Sequence, residues 1–191
     1  MKHDLNKKMT KGTIRTLSDF RCAMFRLLSE LSFEDITVGE ICIAANYPRA
    51  TFYNYFEDKY DLLEYCFSWI ISSLYIDNFK EEKSEDLLYL YFDRAFDFLT
   101  EHREVVEKIL KSNGEEGYFS SSIHTYLQKV LRKIFQATNC NKSHGNIPKE
   151  LLAEHYCNTI ILLLKWSFLT RHKCTKEEAH NYIGMLLGGI K

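Results

Sequence analysis

Apolar residues recur along this chain at steps of three and four, and β-branched alternation is nearly absent, a pattern that predicts helices throughout. Leu17, Phe20, Ala23, Met24, Leu27, Leu28 and Leu31 form the first stripe, which predicts a helix from about Thr13 to Ser32. Phe33 to Ile36 reads as a short connection. Thr37 with Glu40 three residues on forms a capping box that opens a brief helix over Val38 to Ala44. Asn46 suits the left-handed conformation of a tight helix-to-helix turn, and Pro48 suits the first residue of a third helix ending at Tyr55. A fourth helix starts near Asp58 and runs to about Tyr75. Further helices are predicted from Ser84 to Glu101, Arg103 to Ser112, Tyr118 to Ala137 and Pro148 to about Arg171. The last opens at a second capping box, Thr175 with Glu178. The expected fold is all-α, with about nine helices. Residues 1–60 are expected to hold an N-terminal arm and a three-helix unit, and residues 61–191 a larger helical domain, with the boundary in the fourth helix.

The three-residue turn Ala45-Asn46-Tyr47 between short helices matches a helix-turn-helix. The third helix carries an excess of rings, TFYNYF, which resolves into two faces. Phe52 and Phe56, four apart, face inward with Ile41 and Leu27. Thr51, Tyr53, Asn54 and Tyr55 remain outside, with Arg49 and the small Ala50 at the helix start. Tyrosine hydroxyls donate to phosphate oxygens while their rings cover the sugar backbone or a thymine methyl. Arg49 and Asn54 are the candidates for base edges, arginine to guanine and asparagine to adenine. Thr37 adds a hydroxyl at a helix N-terminus, a natural phosphate site.

The stretch FEDITVGEICIAANYPRATFYNYFEDKYDLLEYCF resembles the N-terminal signature of the TetR/AcrR family of bacterial transcriptional regulators. Thr37, Ile41, Ala44, Ala45, Thr51, Phe52, Tyr53, Tyr55, Phe56, Lys59, Leu62 and Leu63 fall in register with it, and the resemblance covers residues 13 to 67. It implies a double-stranded DNA operator as partner, a phosphate contact for Lys59, and a C-terminal domain that dimerises and often holds a small-molecule pocket. The chain departs from the pattern at Asn46, where glycine is frequent, and at Pro48, where serine is frequent. Sequence preference on DNA therefore does not carry over.

In the C-terminal part, Tyr182, Ile183, Leu186, Leu187 and Ile190 form a regular stripe. The helix before it is apolar almost all round, so Ile161, Leu164 and Phe168 need cover on more than one side. Two helices from each of two chains would give a four-helix homodimer interface. The aromatic residues Tyr89, Phe92 and Phe96, with Tyr126, Trp166 and His155, are candidates for an effector cavity, against the alternative of an ordinary aromatic core. Asp93, Arg94 and Asp97 read as a solvated face.

Charge sharpens this picture only locally. The net charge is −1, yet residues 1–26 hold Lys2, Lys7, Lys8, Lys11, Arg15, Arg21 and Arg26 against Asp4 and Asp19, a basic end suited to a polyanion. Six cysteines lie far apart with no metal-ligand spacing, so neither a metal site nor a disulfide scaffold is expected. No Gly-rich phosphate loop or nucleophile elbow appears, so no cofactor and no catalysis are expected. No apolar run is long enough to span a bilayer, and the N-terminus lacks an apolar signal core, which points to a cytoplasmic protein with no membrane partner. The composite expectation is a homodimeric repressor released from a palindromic operator by a small molecule. Its rivals are a same-fold DNA-binding protein without sensing (architectural or division-linked) and, more remotely, a helical enzyme.

Overall fold

The computed structural model describes residues 9–74, 87–114, 116–137, 147–169 and 174–188. Among them it shows nine helices and no strand. These are α1 (Lys11–Leu28), α2 (Val38–Ala45), α3 (Arg49–Tyr55), α4 (Lys59–Ser73), α5 (Leu87–Glu101), α6 (Arg103–Asn113), α7 (Tyr118–Ala137), α8 (Lys149–Leu169) and α9 (Lys176–Gly188). The basic residues Lys2, Lys7 and Lys8, the expected helix start at Ser84, and Ile190 lie outside the described residues. The chain forms two compact units. One comprises Met1–Ser72 with Glu104–Ser120, and the other Ser73–Arg103 with Ser121–Lys191.

The first unit is built on α1. Thr10 caps that helix by accepting the Thr13 N–H at 3.2 Å, so it starts two residues earlier than its apolar stripe implies. It ends at Leu28, where the Ser29 N–H bonds back to the Phe25 and Arg26 carbonyls. Leu17, Phe20, Met24 and Leu28 are buried, and Phe20 meets Phe52 and Phe56 edge-on at centroid distances of 5.4 and 6.1 Å. The Thr37–Glu40 capping box is complete in both directions. α2 closes in a Schellman arrangement. Asn46 adopts φ 59°, ψ 45°, and the Tyr47 and Asn46 N–H groups return to the Cys42 and Ile43 carbonyls. Pro48 stands one place earlier than expected, as the extended N-cap of α3, because the Thr51 N–H already bonds its carbonyl.

The connection between α1 and α2 is not a passive loop. Its Phe33 and Ile36 are buried, which strips water from the surrounding backbone and obliges the structure to supply partners. Asn113, the last residue of α6, supplies one of them and also caps the end of α1. Its Oδ1 accepts the Phe33 N–H at 2.8 Å, and its Nδ2 donates to the Leu28 and Ile109 carbonyls at 2.9 and 2.8 Å. Glu34 reaches the start of α7 and accepts the Tyr118 N–H at 2.7 Å, a bond that holds its carboxyl below the usual range. Phe33, Tyr60 and Tyr118 complete the cluster, with Phe33 and Tyr118 stacked at 5.2 Å and Tyr60 set edge-on to both. Gly117 is required beside it, since a side chain there would run into the Asn113 carbonyl.

In the second unit, α5 lies against α8 and α9. Phe92 and Phe96 are buried, and Phe96 packs on Phe168 at 5.1 Å. Asp93 and Asp97, expected on a solvated face, instead meet α9. Asp97 pairs with Lys176 at 2.7 Å and Asp93 with His180 at 3.2 Å, while the Tyr89 ring stacks on His180 at 4.7 Å. These pairs are partly exposed and fix orientation more than they stabilise. The second capping box forms as expected, with Glu178 accepting from the Thr175 N–H and hydroxyl.

Replacing Asn113 by Ala leaves the buried Phe33 N–H without its partner and removes the side-chain bonds to the Leu28 and Ile109 carbonyls. The expected cost is about 2–4 kcal/mol in urea unfolding. A loss below about 0.5 kcal/mol would show that this clamp is not what holds the first unit together.

Candidate nucleic-acid interface

α3 has only seven residues and is positioned entirely by its neighbours. Phe52 and Phe56 are fully buried beneath it and sit 5.4 Å apart. The preceding turn is fastened to α1 by Tyr47, whose hydroxyl donates to Asp19 at 2.9 Å and whose ring lies 5.3 Å from Phe20. Arg26 donates to the Ala44 carbonyl at 3.1 Å, satisfying an orphan acceptor at the end of α2. The helix is thereby held on one side, and of the residues expected outside, Tyr53 and Asn54 are exposed. Arg49, Ala50, Tyr53 and Asn54 are all exposed, as two diagonal pairs four residues apart. Tyr53 is 45% exposed, and Thr51 and Tyr55 are half-buried at the margins.

Two residues expected to hold phosphate are engaged elsewhere. An ammonium has three N–H donors, and Lys59 directs its own to the Phe33, Glu34 and Ile36 carbonyls at 2.9, 2.9 and 2.7 Å. Lys59 therefore ties the α1–α2 connection to the start of α4, and its donors are not aimed outward. The Thr37 hydroxyl donates its one proton to Glu40 at 2.7 Å. That hydroxyl and the Thr37 N–H hold the Glu40 carboxyl below its ordinary range, so a negative charge stands where phosphate was expected.

Sequence reasoning missed two residues beside α3. Ile43 is 82% exposed, and Gly39 lies one turn before it on the same face of α2. Together with Cys42, Asn46, Tyr47, Pro48 and Arg49 they line an open depression of about 490 Å³. The signal was present in the run ICIAA. An eight-residue helix packed on one side cannot bury three consecutive apolar residues, and Ile41 and Cys42 take the inner places.

The candidates for an effector cavity and for a dimer interface all belong to the second unit. Phe92 and Phe96 are core residues, Tyr89 sits against His180, and Tyr126 is half-buried on α7. His155 and Trp166 lie on the exposed side of α8, with Trp166 edge-on to Tyr182 at 5.7 Å. Of the expected interface residues, Ile161, Phe168, Ile183 and Leu187 are buried within their own unit, and Leu164 is half-buried. Phe96 of α5 covers Phe168. Tyr182 and Leu186 remain exposed, joined by Leu151, Leu162 and Trp166 on α8 and Met185 on α9.

Among the described residues no cluster of three metal-binding side chains occurs, and no helix is long and apolar enough to cross a membrane. Burial pushes the Cys66 thiol up strongly and the Cys157 thiol up to about 11, so neither is a thiolate nucleophile at neutral pH.

Residues 23–66 match the family model of bacterial regulatory proteins, tetR family. No curated protein sequence matches the chain. Solved structures do resemble it in fold. A TetR family transcription regulator from Marinobacter aquaeolei VT8 superposes with a TM-score of 0.66 at 21% identity, covering 94% of this chain and 97% of that one. The fatty acid degradation regulator FadR from Bacillus halodurans gives 0.66 at 15% identity, covering 96% and 98%. The transcriptional regulator FadR from Bacillus subtilis, solved in complex with stearoyl-CoA, gives 0.64 at 18% identity, covering 91% and 99%.

Lys59→Met removes three charge-assisted bonds from the first unit. It is expected to lower unfolding stability by about 2–3 kcal/mol, with no dependence on added DNA. Unchanged stability together with a loss of DNA affinity would restore Lys59 to the phosphate-binding set.

Proposed function

We propose that this chain, whose residues 23–66 match the tetR family of bacterial regulatory proteins, is a homodimeric DNA-binding repressor that is released by a small molecule. The family is one of regulators, not enzymes. The observation that carries the reading is the two-sided α3. Its phenylalanines are fixed in the core while Arg49, Ala50, Tyr53 and Asn54 stand together in solvent. Such a helix enters a major groove, with the tyrosines on the backbone and Arg49 and Asn54 on base edges. Thr51 and Tyr55 flank that contact.

Dimerisation is supported by the second unit. Leu162 is 60% exposed and Met185 76% exposed, and with Leu151, Trp166, Tyr182 and Leu186 they leave apolar surface on both α8 and α9. A two-fold axis through this surface would pair two reading helices on a palindromic operator, with half-sites about one helical turn or somewhat more apart. Effector binding in the second unit would favour a state that no longer fits both half-sites. The FadR of Bacillus subtilis, solved with stearoyl-CoA, makes long-chain acyl-CoA thioesters the first compounds to titrate against the protein–DNA complex.

Selection from random duplex DNA is expected to yield a palindrome. Tyr53→Ala should weaken binding to it about 10-fold or more, and Leu162→Glu with Met185→Glu should give a monomer that binds at least as poorly. Failure to enrich any duplex would overturn the DNA-binding reading. A double variant that stays dimeric in sedimentation would overturn the assignment of the interface.

A further inference from the structure

Gly39 lies in the first turn of α2, and a methyl group built on it would fall 2.6 Å from Nη2 of Arg49 and 3.5 Å from its Cζ. The guanidinium of the first α3 residue is therefore folded back onto the bare backbone of α2. Among the described residues no carboxylate pairs with it. The nearest acid on α2, Glu40, is taken up by Thr37. The arginine thus lies along the open depression between the two helices, which Gly39 and Arg49 both line. Its direction is set by a space, and that space exists only because residue 39 lacks a side chain.

We propose that Gly39 is a positioning residue for sequence reading: its absent side chain seats the Arg49 guanidinium and so selects the base pair that Arg49 contacts. The inference rests on the DNA-binding reading given above. An arginine reads guanine through a planar fork, so the angle of approach decides which base edge it can meet. The clash that a methyl at 39 would create is with the far end of a flexible side chain. Arg49 would move and the helix would not. Alanine is moreover the better helix former at an interior position, so filling the seat leaves the fold intact.

The test uses the full chain. The unaltered protein first selects a duplex from random DNA. That duplex and all its single-base variants are then measured against the unaltered protein, Gly39→Ala, Arg49→Ala and the double variant. Arg49→Ala should lose about 10-fold or more in affinity and flatten the preference at one base pair per half-site. Gly39→Ala should change the preference at that same base pair by about fivefold or more while its Tm stays within about 2 °C. The double variant should bind within about twofold of Arg49→Ala alone, because an absent arginine cannot be misplaced. Effects that multiply, an unchanged base profile for Gly39→Ala, or a change at a different base pair each overturn the proposal. If the unaltered protein selects no duplex, the DNA-binding reading fails and takes the inference with it. A selected duplex that Gly39→Ala reads identically removes the inference alone.

Discussion

The first unit depends on how the buried α1–α2 connection is satisfied. Phe33 and Ile36 draw this segment into the core, and its backbone groups then need partners that no helix ladder provides. Asn113 comes from a distant part of the chain to take the Phe33 N–H and cap the end of α1, and Lys59 gathers three carbonyls of the same segment. Glu34 answers outward, to the first N–H of α7. A short segment is thereby fixed to α4, to α6 and to the start of α7. The orientation of α1, on which the reading helix rests through Phe20, follows from it.

This constraint explains why so small a recognition helix can be rigid. Seven residues cannot hold a helix in water alone. Here two phenylalanines are clamped against Phe20, the turn is tied to Asp19 through Tyr47, and Asn46 reverses the chain in the left-handed region without glycine. Placing so many interactions behind α3 frees its front. The exposed set carries one cation, one amide and one phenol, which suits the mixed backbone and base-edge chemistry of a major groove.

The helices were legible because helical periodicity and capping boxes are local signals. Thr37 with Glu40 and Thr175 with Glu178 appear as residue spacing and reappear as bonds. The inner face of α3 was equally readable from the four-residue step between Phe52 and Phe56, whereas Thr51 and Tyr55, expected outside, are half-buried. Asn113 was not legible, since its role depends on residues some 80 positions away and its sequence context reads only as a helix break. The internal partners of Lys59 and Thr37 were not legible for a related reason. A cation or hydroxyl near a helix start has two outlets, and only the fold shows that the internal one is taken. In the second unit, a helix apolar all round does not reveal which side is covered. Ile161, Phe168 and Ile183 are buried, with Phe96 of α5 on Phe168, and Leu162, Trp166 and Met185 remain exposed.

In the proposed function the outer face of α3 is the surface that meets DNA. A crystal structure of the full chain with its selected duplex tests this most directly. It should place Arg49, Ala50, Tyr53 and Asn54 in the major groove, with Phe52 and Phe56 unmoved in the core and Lys59 still bonded to the three carbonyls. A duplex seated on another surface, or reached only through the basic N-terminal residues with α3 facing solvent, would contradict it.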